Sequence, residues 1–237
     1  GTLFISDLHL DPGRPHITRA FAEFLERNQS CDRLYILGDL VESWIGDDDD
    51  SAFIHELADL LLTFTKAGPQ LFLMHGNRDF LIGLTFCQRV GAQLINDPTV
   101  IDLYGKPTLL MHGDSLCTDD IDYQAFRVTA RSEQWQVAFL DHSLAERRAI
   151  AEQLRTKSRE SNSNKAQDIM DVNADAVVEA LKSYGVQQLI HGHTHRPNRH
   201  HYECGTRWVL GDWYDTGWVI SSFDGNLTLT DFKISPL

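Results

Sequence analysis

Five stretches of the chain climb through apolar residues and stop abruptly at a polar cluster: TLFISDLHL, RLYILGDL, QLFLMHGNRD, PTLLMHGDS and VQQLIHGHTH. Each run is short and ends at Asp, His, Asn or Gly, the pattern of a buried strand that delivers polar side chains to its carboxyl end. Between the first three lie stretches with helical spacing, near Ile17 to Arg27 and Ala52 to Lys66, with Thr18 and Ser51 as candidate caps. The alternation predicts β-α-β units. Near-continuous apolar strands belong in sheets covered on both faces, and such sheets bind ligands at the carboxyl ends of their strands.

From Arg199 onward the pattern changes. HHYECGTRWVLGDW and GWVISSFDGNLTLTDF read as antiparallel strands turned at Cys204-Gly205 and Asp224-Gly225, which predicts a second sheet. Low complexity is confined to DDDD at 47–50 and SNSN at 161–164, read as polar loop or helix surface.

A chain of 237 residues accommodates one domain, or a domain with an insertion. No run approaches the roughly 20 apolar residues of a membrane span, and the start does not read as a signal peptide. Cys31, Cys87, Cys117 and Cys204 stand far apart with no CxxC spacing, which suits free thiols in a reducing compartment, so a cytoplasmic protein is expected. The net charge of -13 opposes nonspecific attraction to nucleic acid. Residues 121–165 differ from the rest, with eight Lys/Arg against six Asp/Glu, leaving 13 against 28 elsewhere. That segregation fits an anionic ligand or surface met at the basic segment, or simply solvated helix faces.

The polar clusters supply candidate chemistry. Asp7 and His9 are two apart, Asp39 follows Gly38, Asn77 follows Gly76, His112 precedes Gly113, and His193 and His195 are again two apart. A strand continued through His191, His193 and His195 would put all three on one face, but Gly192 and Pro197 argue that it ends there. Seven oxygen and imidazole donors without a thiolate suit Mn²⁺ or Mg²⁺, with Fe²⁺ and Zn²⁺ as competitors, and seven exceed what one ion takes from protein. Two ions are the simpler account. Taken singly, a strand-end Asp is an ordinary turn or helix cap and a His an ordinary core residue; their recurrence at five strand ends favours a site. His75 and His191, just inside their strands, read as structural, and His16, His55, His142, His200 and His201 have no ligand spacing.

In the order DxH, GD, GN, HGD and GHTH, the set resembles the calcineurin-like metallophosphoesterases. That resemblance implies an α/β (α+β) sandwich of two mixed β-sheets flanked by helices, with a dinuclear site at the strand ends. One ion would be held by Asp7, His9, Asp39 and His195, the other by Asp39, Asn77, His112 and His193, with Asp39 bridging. More closely, LYILGD, WIGDD, HGNRDFL, LMHGDSLCTDD, IMDVN and IHGHTHRP resemble the UDP-2,3-diacylglucosamine pyrophosphohydrolase family of lipid A biosynthesis. The resemblance implies cleavage of that lipid to UMP and 2,3-diacylglucosamine 1-phosphate with Mn²⁺ as the usual metal. Many members of the broader superfamily read GNH, with the histidine near the leaving group; here Arg78 follows Asn77. Expelling an alkoxide calls for a proton donor, whereas a sugar phosphate, with a second pKa of about 6, leaves without one and is better served by a fixed cation. The resemblance makes Asp39 and Asn77 expected catalytic residues, and the leaving-group chemistry adds Arg78, the plainer alternative for Arg78 being a pair with Asp79 or another acid.

The segment 121–165 interrupts the catalytic order and reads as a helical cap within a single domain spanning 1–237. Ser158, Asn162 and Lys165, spaced by four and three, fall on one helical face. The resemblance assigns them to substrate together with Asp120, Asn77, Arg78 and His193. Phe126, Trp135, Val137, Phe139 and Leu140 line a groove for acyl chains or form the hairpin's own core. Arg147, Arg148, Arg155 and Arg159 either meet anionic headgroups, giving peripheral association with the cytoplasmic face of the inner membrane, or are exposed helix arginines. No obligate protein partner is expected. Two other functions fit the chain: a metallophosphoesterase acting on another nucleotide diphosphate or phosphodiester, and a binding scaffold that has lost the chemistry. Retention of all seven ligands weighs against the scaffold.

Overall fold

The computed structural model describes residues 1–236. The first three apolar runs become β1 (Thr2–Ile5), β2 (Arg33–Leu37) and β3 (Gln70–Met74), parallel neighbours in one sheet. Residues of opposite parity on these strands feed different cores. Leu3, Ile5, Leu34, Ile36, Leu71 and Leu73 pack outward, under the helices α1 (Pro15–Arg27), α2 (Ala52–Lys66) and α3 (Leu84–Val90). Phe4, Tyr35, Leu37 and Met74 face the other sheet. Burial on both faces explains why the runs are almost continuously apolar.

That first sheet is extended by β4 (Ala92–Leu94), parallel to β3. The second sheet begins with β5 (Thr99–Leu103) and β6 (Lys106–Leu110), an antiparallel pair. It continues through β7 (Gln188–His191), β8 (Asn198–Tyr202) and β9 (Gly205–Val209), in the order β5-β6-β7-β9-β8. The last two strands, β10 (Thr216–Ser222) and β11 (Thr228–Lys233), return to the first sheet, giving β11-β10-β1-β2-β3-β4. Both sheets are therefore mixed, and the carboxyl-terminal strands are divided between them instead of forming one sheet of their own.

Two local expectations shift. α1 opens at Pro15, not at Thr18, because proline at the first turn has its φ already set and lacks only an N–H the helix would not use; Thr18 is buried within the helix. The β8–β9 hairpin turns at Glu203-Cys204, one residue early, since Tyr202 pairs with Gly205. A Cβ at Gly205 would lie 2.7 Å from the Gln187 carbonyl oxygen, so this glycine serves a close strand approach instead of the turn. Ser51 does cap α2, accepting from the Ile54 amide.

Between β6 and β7 the chain leaves the sandwich for α4 (Ile121–Ala130), α5 (Glu133–Leu140) and α6 (Leu144–Ser163), then returns through α7 (Ala174–Tyr184). α7 covers the second sheet's outer face through Val177 and Leu181 against Leu109 and Leu189. The excursion helices begin at Asp120, Ser132 and Ser143, each accepting from an amide of the first turn. Lys165 lies beyond the end of α6 and pairs with Asp120 at 2.8 Å, closing the last helix onto the start of the first.

Two further attachments reach the sandwich. Arg131 donates to the Gly76 carbonyl at 3.0 Å, its guanidinium lies over Phe80, and Trp135 packs between Phe80 and Phe139. Arg147, expected among residues meeting headgroups, is buried: it donates to the carbonyls of Ile45, Leu140 and His142 and to Asp48 Oδ1 at 2.6 Å. The acidic run is its counterpart. Asp47 accepts from the Gly83 and Phe86 amides at the start of α3, Asp48 holds Arg147, and Asp49 accepts from the Ser51 amide and pairs with Arg148. A stretch that reads as bland polar loop thus anchors the α5–α6 elbow.

Replacing Arg147 with Met keeps much of its apolar stem but removes four hydrogen bonds, a cost of at least about 3 kcal/mol, since each bond to a charged donor contributes ~1.5–3 kcal/mol and only part of the loss is recovered by water. The expected outcome is a lower urea midpoint and faster protease cleavage between α5 and α6; an unchanged cleavage pattern would show that this arginine does not hold the elbow.

Candidate metal centre

All five polar clusters lie at one edge of the sandwich, at the carboxyl ends of β1, β2, β3, β6 and β7. Past each strand the backbone keeps bonding to its neighbours. The Asp7 amide donates to Gly38 O, His9 to Asp39 O, Gly192 to His112 O and Trp213 to Asp7 O. These bonds hold the loops in an unusual conformation. Of the six non-glycine residues with positive φ among the described residues, five are Asp7, His9, Asp39, His193 and His195. Such backbone costs of order 1 kcal/mol or more per residue and persists only where the surroundings over-determine it. Small residues permit the crowding: a Cβ on Gly76 would overlap the Asp39 amide and carboxylate, and one on Gly192 the Ser6 hydroxyl and Asp7 carboxylate.

Side chains from these loops form two adjoining groups, Asp7 with His9 and His195, and Asp39 with His112 and His193. In the first, His195 Nε2 and His9 Nε2 lie 3.4 and 3.7 Å from Asp7 Oδ1, and 3.3 Å from each other. Asp7 Oδ2 is fully engaged by the Ser6 hydroxyl and the His193 amide, while Oδ1 is buried without a hydrogen-bond donor. In the second, Asn77 Oδ1 stands 3.0 Å from His112 Nε2 and 3.1 Å from His193 Nδ1. Asp39 Oδ2 joins the groups, 3.7 Å from His9 Nε2 and 3.5 Å from His112 Nε2, while its Oδ1 accepts from the Arg78 amide.

The electrostatics of this arrangement demand positive charge. Burial alone would raise both carboxyls, yet the surrounding imidazoles hold Asp7 well below the usual carboxylate range and lower Asp39 as well. Burial would likewise lower His9, but Asp7, Glu42 and Asp39 push it up to about 10, and Asp39 raises His112 well above its ordinary value. A buried carboxylate oxygen with no hydrogen-bond donor, faced by two ring nitrogens at 3.4 and 3.7 Å, fits a shared divalent ion, and so does the all-nitrogen-and-oxygen donor set.

Several contributors escape the sequence patterns. Glu42 Oε2 lies 2.9 Å from His9 Nδ1, and Asp212, in the LGDW stretch that repeats the strand-then-GD theme, lies 3.7 Å from His195 Nδ1. Asp79 is fully buried and accepts from the amides of Asp39, Leu40 and Gly76, so it does not pair with Arg78; Arg78 Nε instead lies 3.8 Å from Glu42 Oε1. Burial and the nearby Asp39 carboxylate push Asp79 up to about 6. Asp114, also buried, accepts from Tyr123 and Arg127, and the Tyr123 ring stacks on His193. The cap thereby touches the centre. Of the remaining residues assigned to substrate, Asp120 is tied to Lys165, while Ser158 is half-buried and Asn162 exposed on α6. His75 and His191 bond to the carbonyls of Ile82 and Gly192, and burial lowers both.

A two-sheet sandwich with a hard-donor centre at its strand ends defines a metallophosphoesterase-type fold and site. The calcineurin-like phosphoesterase family matches residues 2–197, and the chain belongs to that family. A protein from Cellvibrio japonicus named UDP-2,3-diacylglucosamine hydrolase is 51% identical over 238 residues, covering 98% of this chain and 99% of that protein. Proteins of the same name from Marinobacter nauticus and Xanthomonas oryzae pv. oryzae are 51% and 47% identical, covering 93% and 98% of this chain and 93% and 99% of their own lengths. Among solved structures, a Vps29 double mutant from Entamoeba histolytica superposes with a TM-score of 0.50 at 16% identity, covering 98% of this chain and 91% of that one, a likeness of fold alone.

Chelator-stripped protein titrated with Mn²⁺ should bind two ions per chain, and Asp39→Asn, which weakens the carboxylate common to both groups, should bind at most one in the same calorimetric range. Two full-affinity sites in that variant would remove Asp39 from the bridging position.

Proposed function

We propose that this chain hydrolyses the pyrophosphate bond of UDP-2,3-diacylglucosamine to UMP and 2,3-diacylglucosamine 1-phosphate, a step of lipid A biosynthesis, with two Mn²⁺ on the seven ligands named above. The observation that carries this reading is the convergence of those donors from five strand ends beside Arg78, in a chain alike over nearly its whole length to hydrolases of that name.

Divalent ions held there would supply Lewis acidity toward phosphoryl oxygens and lower the pKa of water. The residues divide the rest of the task. Water oxygen bonds to the α-phosphorus, the bond from that phosphorus to the bridging oxygen breaks, its electron pair leaves with the sugar phosphate, and the protons of the water pass to solvent. Asn77 and His193, side by side at 3.1 Å, hold the phosphoryl group under attack. Arg78, half-buried, offers the fixed cation that a departing phosphate needs in place of a proton. Asp120, Ser158, Asn162 and Lys165 hold the glucosamine and its phosphates from the cap side.

The cap also accounts for the lipid. Trp135 and Phe139 are used in docking it, but Phe126, Val137 and Leu140 stay exposed on the α4–α5 face and are free to meet acyl chains. Ile121 and Val128 on α4, exposed by 75% and 72%, with Arg155 and Arg159 on α6, supply an apolar and basic surface for peripheral contact with the cytoplasmic face of the inner membrane, Arg148 being engaged by Asp49. Among the described residues no helix is long and apolar enough to cross a membrane.

Detergent-dispersed UDP-2,3-diacylglucosamine, UDP-glucose and a nitrophenyl phosphodiester should be compared with Mn²⁺ present, and UMP should be released selectively from the lipid. Equal cleavage of UDP-glucose would overturn the lipid substrate. Arg78→His should lower turnover of the lipid by roughly 10²-fold, the usual loss on removing a charge-stabilising donor, while leaving the nitrophenyl ester, whose leaving group needs no partner, much less affected; undiminished lipid turnover would exclude the leaving-group role.

A further inference from the structure

The carboxylate of Glu42 belongs to none of the seven ligands, yet it faces two residues of the centre at once. One oxygen lies 2.9 Å from His9 Nδ1 and the other 3.8 Å from Arg78 Nε. We propose that Glu42 is a positioning residue that sets the orientation of the His9 imidazole toward the metal and, with its second oxygen, holds the Arg78 guanidinium at the rim of the centre. The inference rests on the metal-dependent hydrolysis proposed above and extends it to a residue that touches neither ion nor substrate.

The geometry of His9 is the first support. Its Nε2 points into the cluster, toward Asp7, Asp39 and His195, so its Nδ1 is the nitrogen left to be fixed from outside. An Nδ1–H donating to a carboxylate leaves the Nε2 lone pair free for a cation, and such partners typically strengthen metal affinity 10–100-fold. Backbone bonds keep Glu42 in place: its amide donates to Leu10 O, the Leu10 amide donates to Leu40 O, and Leu10 and Val41 form a parallel bridge. The loops after β1 and β2 thus run side by side, and the glutamate moves with the loop that carries His9.

Arg78 supplies the second support. Its amide donates to Asp39 Oδ1, so its backbone sits against the carboxylate shared by both groups, and its side chain has two anionic directions available. One leads toward Asp7 and Asp39, where a guanidinium would compete with a metal ion; the other leads to Glu42. Pairing with Glu42 keeps the arginine beside the centre without entering it.

The test is Glu42→Gln, equal in size and neutral, together with Arg78→Ala and the double variant. Mn²⁺ affinity by competition with a fluorescent chelator should fall ~10–100-fold at one of the two sites in Glu42→Gln, with the melting profile of the stripped protein retained. Glu42→Asp should recover part of that affinity, which general damage to the fold would not allow. In turnover of UDP-2,3-diacylglucosamine at saturating Mn²⁺, the loss on Arg78→Ala should be several-fold smaller in the Glu42→Gln background than in the parent, since the arginine is then no longer held. Unchanged metal affinity overturns the role toward His9, and strictly multiplicative losses overturn the role toward Arg78. The metal arm uses no substrate, so its failure differs from failure of the proposed reaction, which would appear as parent enzyme that binds Mn²⁺ yet releases no UMP.

Discussion

The structure turns on two carboxylates, Asp7 and Asp39, that are almost completely removed from water at the edge of a sheet sandwich. A carboxylate in that position is tolerable only if positive charge is supplied within a few ångströms. Four histidines, arriving on loops from three different strands, surround them. The left-handed backbone of five residues of the centre, the small residues pressed between strand ends and the ladder bonds that continue past each strand all follow from bringing so many donors to two carboxylates. Strain of this kind is stored where the rest of the fold is stiffest, and here it sits on parallel strands buried on both faces.

Charge compensation continues outward from the centre in layers. Asp79 spends its carboxylate on three loop amides and so holds the turn after β2 against the turn after β3. Glu42 and Asp212 address the outer nitrogens of His9 and His195. Asp114 draws Tyr123 and Arg127 from the cap, and Tyr123 lays its ring on His193, so the excursion helices are coupled to the centre and not merely draped over it. Elsewhere the cap is held by arginines, Arg131 on Gly76 and Phe80, Arg147 and Arg148 on the acidic loop before α2. The local excess of basic residues in the cap is therefore partly consumed by attachment to an acidic body, and only the remainder is left to solvent.

The amino-acid sequence by itself determined what depends on neighbours within a few positions. Period and composition marked β1, β2, β3, β6 and β7 and the extent of α2; serines at 51, 132 and 143 capped their helices through amides three residues away. The residues that converge at the centre were legible because each follows an apolar run directly, so the strand's end and the polar cluster are written in the same ten residues. Only the tertiary structure decided matters set by contacts between distant segments: the division of the last four strands between two sheets, the burial of Arg147 against Asp48, the pairing of Arg78 with Glu42 instead of Asp79, and the placing of Tyr123 on His193. A lone acid or arginine has the same local pattern whether it faces solvent or a partner on another loop, because side-chain pairing is a property of the packed backbone, and periodicity reports only which face of its own element a residue occupies.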